Sequence, residues 1–315
     1  MKDMDVSVIV VTYNQEDTIG RTLDSVLGQE FEGDFEIVVG DDCSSDGTQR
    51  VCEEYARRHS GRVRYIRRKN SVGVMANYFD CIRQARGRYL ADCAGDDFWV
   101  DPQKLAHEFD FLECHPDVTA VYTDWLCCNP DGTGIRRHML RPEVKGIEVY
   151  TRRELLLPIL TNKVMLHLCT AMYRKGVILH YMDKDPERFM SAVYVAEDPQ
   201  IMMALSDAGK VAVLPGVALH YSVGGDSISR RRDCARRLRH YIGETGQQIE
   251  LAELFGVDRE EIEWYLRKKM DYIWSLAWRA REGKAAGELG CRYELRTGWK
   301  SKLYRLMLGL CGSRC

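Results

Sequence analysis

Three acidic clusters have residue types and spacing suited to chemistry. Gly40-Asp41-Asp42 is followed by Ser44-Ser45-Asp46-Gly47-Thr48, Ala94-Gly95-Asp96-Asp97-Phe98-Trp99 leads to Pro102, and Glu197-Asp198 precedes Pro199. Carboxylates such as Asp41 and Asp42 can accept hydrogen bonds from a base N–H and from ribose hydroxyls, as an acid after a Rossmann strand does for a dinucleotide. The same stretch also reads as a polar turn with a helix cap. Asp96 and Asp97 repel one another and are costly unless a cation or ligand neutralises them. With hard carboxylate oxygens and no His or Cys read as a neighbour, the expected ion is Mg²⁺ or Mn²⁺, held jointly with substrate phosphates. There it would offset the charge of a diphosphate leaving group. The bland alternative is an acidic loop capping the helix at Pro102, and Glu197-Asp198 alone reads as a helix N-terminus where acids favour the dipole. Neither G-x-G-x-x-G nor G-x-x-x-x-G-K-[ST] occurs, which argues against a dinucleotide or P-loop site.

The elements that must hold these clusters alternate short β-branched runs with amphipathic stretches, the pattern of β-α-β units around a parallel sheet. Strands are predicted at 6 to 12, 35 to 40, 63 to 67 and 88 to 93, with helices near 16 to 30, 47 to 59 and 73 to 86. Asp46 is placed to cap the second helix. Such a doubly wound sheet binds ligands beyond the carboxyl ends of its strands, where the first two clusters fall. A helix from 102 to 114, a strand from 118 to 125, a strand from 166 to 173 and a helix from 199 to 208 follow. VAVLPGVALHYSV (211 to 223) reads as two strands broken at Pro215-Gly216. Beyond Ser229 only helical segments remain, near 229 to 254, 258 to 282 and 299 to 310. The expected organisation is therefore a sheet domain over 1 to 228 and a helical extension over 229 to 315.

Composition limits the partners. The 45 Lys plus Arg nearly balance 47 Asp plus Glu, so no global field recruits nucleic acid or anionic lipid. The N-terminal apolar run, about six residues, is too short for a signal peptide or a membrane span. Twelve cysteines without C-x-x-C pairs are expected to stay reduced in a cytosol, although Cys127-Cys128 and the terminal Cys311 and Cys315 could oxidise in the tube.

VSVIVVTYNQEDTIGRTLDSVLGQ, EIVVGDDCSSDGT and GRYLADCAGDDFWVDPQKL together resemble the family 2 glycosyltransferases of GT-A fold, over roughly residues 5 to 228. The resemblance implies an inverting transfer of sugar from a nucleotide diphosphate donor. Thr12, Tyr13, Asn14, Asp41 and Asp42 then line a uridine-type nucleotide pocket, Asp96 faces the ribose or donor sugar, and Asp97 binds the metal. Relatives carry a further acid close to this motif where Cys93 and Ala94 stand here. Inversion requires a base beside the acceptor hydroxyl. Asp198 matches the family position, with Glu197 as the second choice. HYSVGGDS (220 to 227) sits where similar enzymes close a loop over the diphosphate, so Gly224 and Gly225 are expected to approach phosphate oxygens and His220 the metal or pyrophosphate. A structural strand-end histidine is the alternative. The donor sugar and the acceptor are chosen within about 130 to 195, where Met165, His167 and Tyr194 are candidate lining residues; a glycan or lipid-linked acceptor in bacterial polysaccharide or glycolipid assembly follows by analogy.

In the tail, Trp299, Leu303, Leu306, Met307 and Leu310 share a helical face flanked by Lys300, Lys302 and Arg305. That permits peripheral contact with an anionic bilayer at the cytoplasmic face; packing on the catalytic body or against a second copy in a homodimer explains it as well. Two rival functions share the sheet. A sugar nucleotidyltransferase would need a Gly-rich basic loop after the first strand, which TYNQEDT is not, and a catalytically inactive nucleotide-binding scaffold would bind donor without transfer or hydrolysis.

Overall fold

The computed structural model describes residues 4–138, 142–164, 166–191, 193–224 and 233–309. They form two compact units, one comprising Met1–Leu156, Val164–Ala192 and Glu197–Val223, the other Leu157–Lys163, Val193–Ala196 and Gly224–Cys315.

The first unit is built on β1 (Val6–Thr12), β2 (Phe35–Asp41), β3 (Val63–Arg67), β4 (Tyr89–Asp92), β5 (Phe98–Trp99), β6 (Val118–Cys128), β7 (Glu148–Tyr150), β8 (Met172–Arg174) and β9 (Lys210–Ser222). β2 is buried along its whole length and β1 nearly so, as continuous apolar runs in a parallel sheet covered on both faces should be. α1 (Ile19–Leu27) follows β1 and buries Ile19, Thr22, Leu23 and Val26, a single helical stripe. α2 (Thr48–Arg58) and α3 (Val74–Gln84) follow β2 and β3. Strand order is β3-β2-β1-β4-β8-β6-β9-β5, with β7 on β9. β3, β2, β1 and β4 run parallel, whereas β8 is antiparallel to β4 and β6, so the sheet is mixed. This is the expected α/β architecture of GT-A type, with antiparallel strands added to a Rossmann-like half.

The predicted break at Pro215-Gly216 is instead one continuous strand. β9 absorbs the two residues as a bulge against β6, with Gly216 at φ 103° and the register shifting between Tyr122 and Asp124. The strand predicted over 166 to 173 is shorter, beginning as a 3-10 turn at Leu168–Thr170 before β8. β5 and β7 fall where no strand is predicted. α4 (Lys104–Cys114), α5 (Arg152–Leu160), α6 (Lys175–Lys184), α7 (Pro186–Phe189) and α8 (Asp198–Ala208) are the remaining helices up to β9.

The second unit consists chiefly of α9 (Cys234–Leu254), α10 (Arg259–Ala280), α11 (Lys284–Arg292) and α12 (Trp299–Met307). α9 and α10 bury Leu238, Ile249, Leu251, Ile262, Leu266, Met270 and Ile273. The buried Lys269 ammonium between these helices is met by Glu244 at 2.9 Å and donates to Gln248 Oε1 at 2.6 Å. Among the described residues nine cysteines are free thiols, Cys127 and Cys128 included, whereas Cys291 is disulfide-bonded, a departure from the expectation of reduced thiols. Among the described residues no helix is long and apolar enough to cross a membrane.

Candidate active site

Because β1 and β2 pair in parallel with Thr12 opposite Asp41, the loops that leave their carboxyl ends lie side by side. They are tied together by short-range polar bonds. Asn14, at φ 53°, receives Ser45 N on its Oδ1 at 2.8 Å and donates its own N–H to Ser44 Oγ at 2.9 Å. Gln15 N donates to Thr48 Oγ1, Gly47 N to Glu16 Oε2, and Asp46 accepts the amides of Glu16 and Thr48. Asp46 thus takes a free amide of α2, as expected of a cap. Tyr13 stands out of this lattice, 54% exposed, with its ring open to a planar partner.

Asp41 and Asp42 differ. Asp41 is fully enclosed; its Oδ1 accepts from Ser44 N and Oγ, and its Oδ2 from the Tyr65 hydroxyl at 2.6 Å, so it fixes the rim from beneath. Asp42 receives Ser71 Oγ, Val72 N and Gly73 N, holding the loop before α3.

The third parallel strand, β4, delivers the second cluster to the same rim. Gly95 N donates to Val11 O, and a Cβ on Gly95 would lie 2.3 Å from Gln15 Oε1 and 2.9 Å from Thr12 Oγ1, so a larger residue here would displace the Gln15 side chain from its bond with Thr12. Asp96 is half-buried, and burial raises its pKa against the opposing effects of Gln15 and the Arg21 cation. Asp97 is 1% exposed. Its Oδ1 accepts Ser222 N at 2.8 Å, while Oδ2 is shut off from solvent without a hydrogen-bond partner. Burial drives its pKa well up, and the negative charges of Asp96 and Asp198 add to that.

The expectation that neither His nor Cys adjoins this pair is overturned. Ligand atoms of Asp97, His167 and Cys169 all lie within 4.8 Å of one another. His167 and Cys169 come from the 3-10 turn that enters β8, about seventy residues along the chain, a proximity with no local sequence signal.

Glu197 and Asp198 open α8, with Pro199 in its first turn. Burial raises both pKa values, and the Asp198 charge pushes Glu197 further. The Asp198 charge adds to the raised pKa values of Asp97, Asp92, Cys169 and Tyr221, which puts its carboxylate within electrostatic reach of Asp97. Asp92 lies deeper, raised to about 7 by burial beside Tyr78 and Tyr173. Sequence reading passed over Asp92, Tyr221 and Arg21; of these only Asp92, a carboxylate in an apolar strand, carried a visible signal.

His220 is not brought into the metal-type cluster. It neighbours Tyr221 on β9, where successive side chains point to opposite faces. Its ring packs edge-on against Phe98 at 5.3 Å, and burial and the nearby Arg21 cation lower its pKa. Gly224 adopts φ 157°, a conformation open to glycine. Gly225 and Met165 lie outside the described residues, and Tyr194 is a buried residue of the helical unit.

The family model described as "Glycosyl transferase family 2" matches residues 7–181, more than half of the chain. The chain belongs to glycosyl transferase family 2. Among relatives in this family, Rv1520 of Mycobacterium tuberculosis (strain ATCC 25618 / H37Rv), named an uncharacterized protein, is 41% identical over 37% of the chain and 34% of its own length. The putative glycosyltransferase EpsE of Bacillus subtilis (strain 168) is 34% identical over 44% of the chain and 49% of its own length. The poly(ribitol-phosphate) beta-N-acetylglucosaminyltransferase TarS of Staphylococcus aureus (strain Mu50 / ATCC 700699) is 29% identical over 70% of the chain. The stretches matched in these proteins span only about a third to a half of their lengths. By fold, the chain is similar to S. aureus TarS 1-349 in complex with UDP-GlcNAc, at TM-score 0.59 and 21% identity, covering 97% of this chain and 91% of that one. It is also similar to the mannosyltransferase PcManGT of Pyrobaculum calidifontis, in complex with GDP-Man and Mn²⁺, at TM-score 0.56 and 18% identity over 98% and 81% of the two chains.

Proposed function

We propose that this chain transfers a sugar from a nucleotide diphosphate donor, a UDP-sugar, to an acceptor hydroxyl with inversion, and that residues 1 to 228 form the donor-binding and catalytic domain. The single observation that carries this reading is Asp97, buried at the carboxyl rim with one sealed oxygen and with Asp198 close enough for its charge to raise the Asp97 pKa. An orphaned carboxylate oxygen among further donors fits a divalent cation; Mn²⁺ or Mg²⁺ are the ions that carboxylates alone would select. Such an ion, held by Asp97, would supply charge neutralisation to the departing diphosphate.

The chain's own residues do the rest. Tyr13 offers its exposed ring to the base, while the loops of Thr12, Asn14, Asp41 and Asp42 shape the cleft for base and ribose. Asp96 faces the ribose or donor sugar. Gly224 lets backbone approach the phosphates. Asp198, with Glu197 as the alternative, accepts the acceptor hydroxyl proton as the acceptor oxygen bonds to the anomeric carbon and the bond to phosphate oxygen breaks. The raised pKa suits this role, since a base poised toward neutral pH accepts a proton more readily than an ordinary carboxylate. The relative named for poly(ribitol-phosphate) glycosylation supports an acceptor in bacterial surface-polymer assembly. Such work suits a protein at the cytoplasmic face of the membrane.

A thermal-shift screen of nucleotide sugars with and without Mn²⁺ identifies the donor, because a ligand selective for the native state raises its melting point. With that donor and an acceptor, Asp97→Ala and Asp198→Asn are each expected to lower kcat at least a hundredfold. Full transfer by both variants would overturn the assignment. Donor binding by the wild type with neither transfer nor slow hydrolysis would favour an inactive scaffold.

A further inference from the structure

The turn carrying His167 and Cys169 is fixed on several sides. Thr170 N donates to His167 O at 2.9 Å, Trp99 Nε1 to Cys169 O at 3.0 Å, and the His167 ring packs between Trp125 at 5.4 Å and Tyr221 at 4.6 Å. Opposite it, Ser222 N donates to Asp97 Oδ1, while Oδ2, sealed from water, meets no conventional donor and has the Cys169 thiol as a weak hydrogen-bonding neighbour of the carboxylate. The three donor atoms therefore face one another from rigid supports, which favours a ligand site over a chance cluster. Cys169 Sγ also accepts the N–H of Ala94 at 3.3 Å, which holds the sulfur beside the segment that carries Asp97.

We propose that His167 and Cys169 complete the cation site of Asp97, so that the site takes a borderline ion, Zn²⁺ or Co²⁺, more tightly than Mg²⁺. This inference rests on the reading of Asp97 as the residue that holds the donor's cation. Thiolate and imidazole select borderline ions, whereas Mg²⁺ demands oxygen ligands and gives up its water reluctantly. The balance is simple: the Cys169 S–H bond breaks, a sulfur–metal bond forms, and the proton leaves to solvent, with no change in oxidation state.

Titrating the metal-free full chain with Co²⁺ tests this without reference to turnover. A near-ultraviolet sulfur-to-cobalt charge-transfer band is expected, together with a Zn²⁺ dissociation constant at least tenfold below that for Mg²⁺. Cys169→Ser should abolish the band and weaken Zn²⁺ at least tenfold, and His167→Gln should weaken Zn²⁺ while keeping the band. Cys169→Asp should restore binding with the preference moved toward Mg²⁺; circular dichroism and thermal unfolding establish that each variant is folded. Bound Co²⁺ without the band, a band that survives Cys169→Ser, or Mg²⁺ held as tightly as Zn²⁺ each overturns the inference. Sugar transfer assayed in parallel separates the two readings. Transfer with Mg²⁺ and no sulfur band sinks the ligand set alone, whereas a sulfur band without transfer from any nucleotide sugar sinks the transferase reading and leaves the ligand set standing.

Discussion

Burying Asp97 with one oxygen unbonded makes its ionisation costly, so the folded protein holds that proton to higher pH than the unfolded chain does. The sign follows from the raised pKa. Its contribution to stability is complete below the ordinary carboxylate value of 3.8 and is lost as pH rises toward the folded-state value. Asp97→Asn keeps an oxygen for Ser222 N and removes the charge. At pH 8 and without metal, this variant is expected to be more stable than wild type by on the order of 1 kcal/mol, and the difference should vanish near pH 4. Urea denaturation at the two pH values measures it; a variant less stable at pH 8 would mean that Asp97 is already well satisfied when ionised. The same substitution should cost transfer, the signature of a residue kept for function against stability. Asp97 and Asp198 were legible in the sequence because each adjoins another acid at a motif position. Cys169 was not, and His167 was singled out only as a candidate lining the substrate site, since a turn some seventy residues away must fold back before either residue meets Asp97, and their own segment reads as a plain strand.

At the scale of elements, long uniform runs were easy to read and short ones were not. VSVIVVT and FEIVVGD are apolar on both faces because helices cover both sides, and that signature needs no partner to be recognised. β5 has two residues and β7 three, too few to show a period, and they exist only because β9 offers them an edge. The β9 bulge was misread as a break because Pro215 and Gly216 signal interruption locally, while pairing with β6 on either side restores the strand. α5 contains Pro158 and hides behind that breaker in the same way. Close approach of β4 to β1 is a constraint of the same kind, set by backbone alone. A Cβ on Gly87 would meet Ser7 N at 2.4 Å and Val6 C at 2.6 Å, atoms that cannot rotate aside. Gly87→Ala is therefore expected to destabilise the protein by about 1–3 kcal/mol, read as a lowered urea midpoint with unchanged slope. A midpoint equal to wild type would show that the strands can separate at this point without loss.

Over the whole molecule the net charge is only −2, so attraction to an anionic surface must come from a local feature. α12 is arranged for it. Ser301 is buried and bonded to Asp271, and Tyr304 packs on Trp278 at 5.9 Å, which anchors one side of the helix. The other side leaves Trp299 69% and Leu306 60% exposed, with Leu303 and Met307 beside them and Lys300 and Lys302 alongside. An apolar face turned outward with cations at its margin matches the interfacial zone of a bilayer bearing anionic lipid, where a lipid-linked acceptor would be found. The full chain is expected to sediment with vesicles containing phosphatidylglycerol and to release as salt rises, because the lysine contribution is screened. Trp299→Ser with Leu306→Ser should lose that binding while shifting stability by no more than about 0.5 kcal/mol, since both side chains are exposed. A chain that ignores anionic vesicles but dissociates from dimer to monomer in the double variant would show that a second copy covers this face. Equal binding to neutral and anionic vesicles would remove the lysines from the account and leave the apolar face alone responsible.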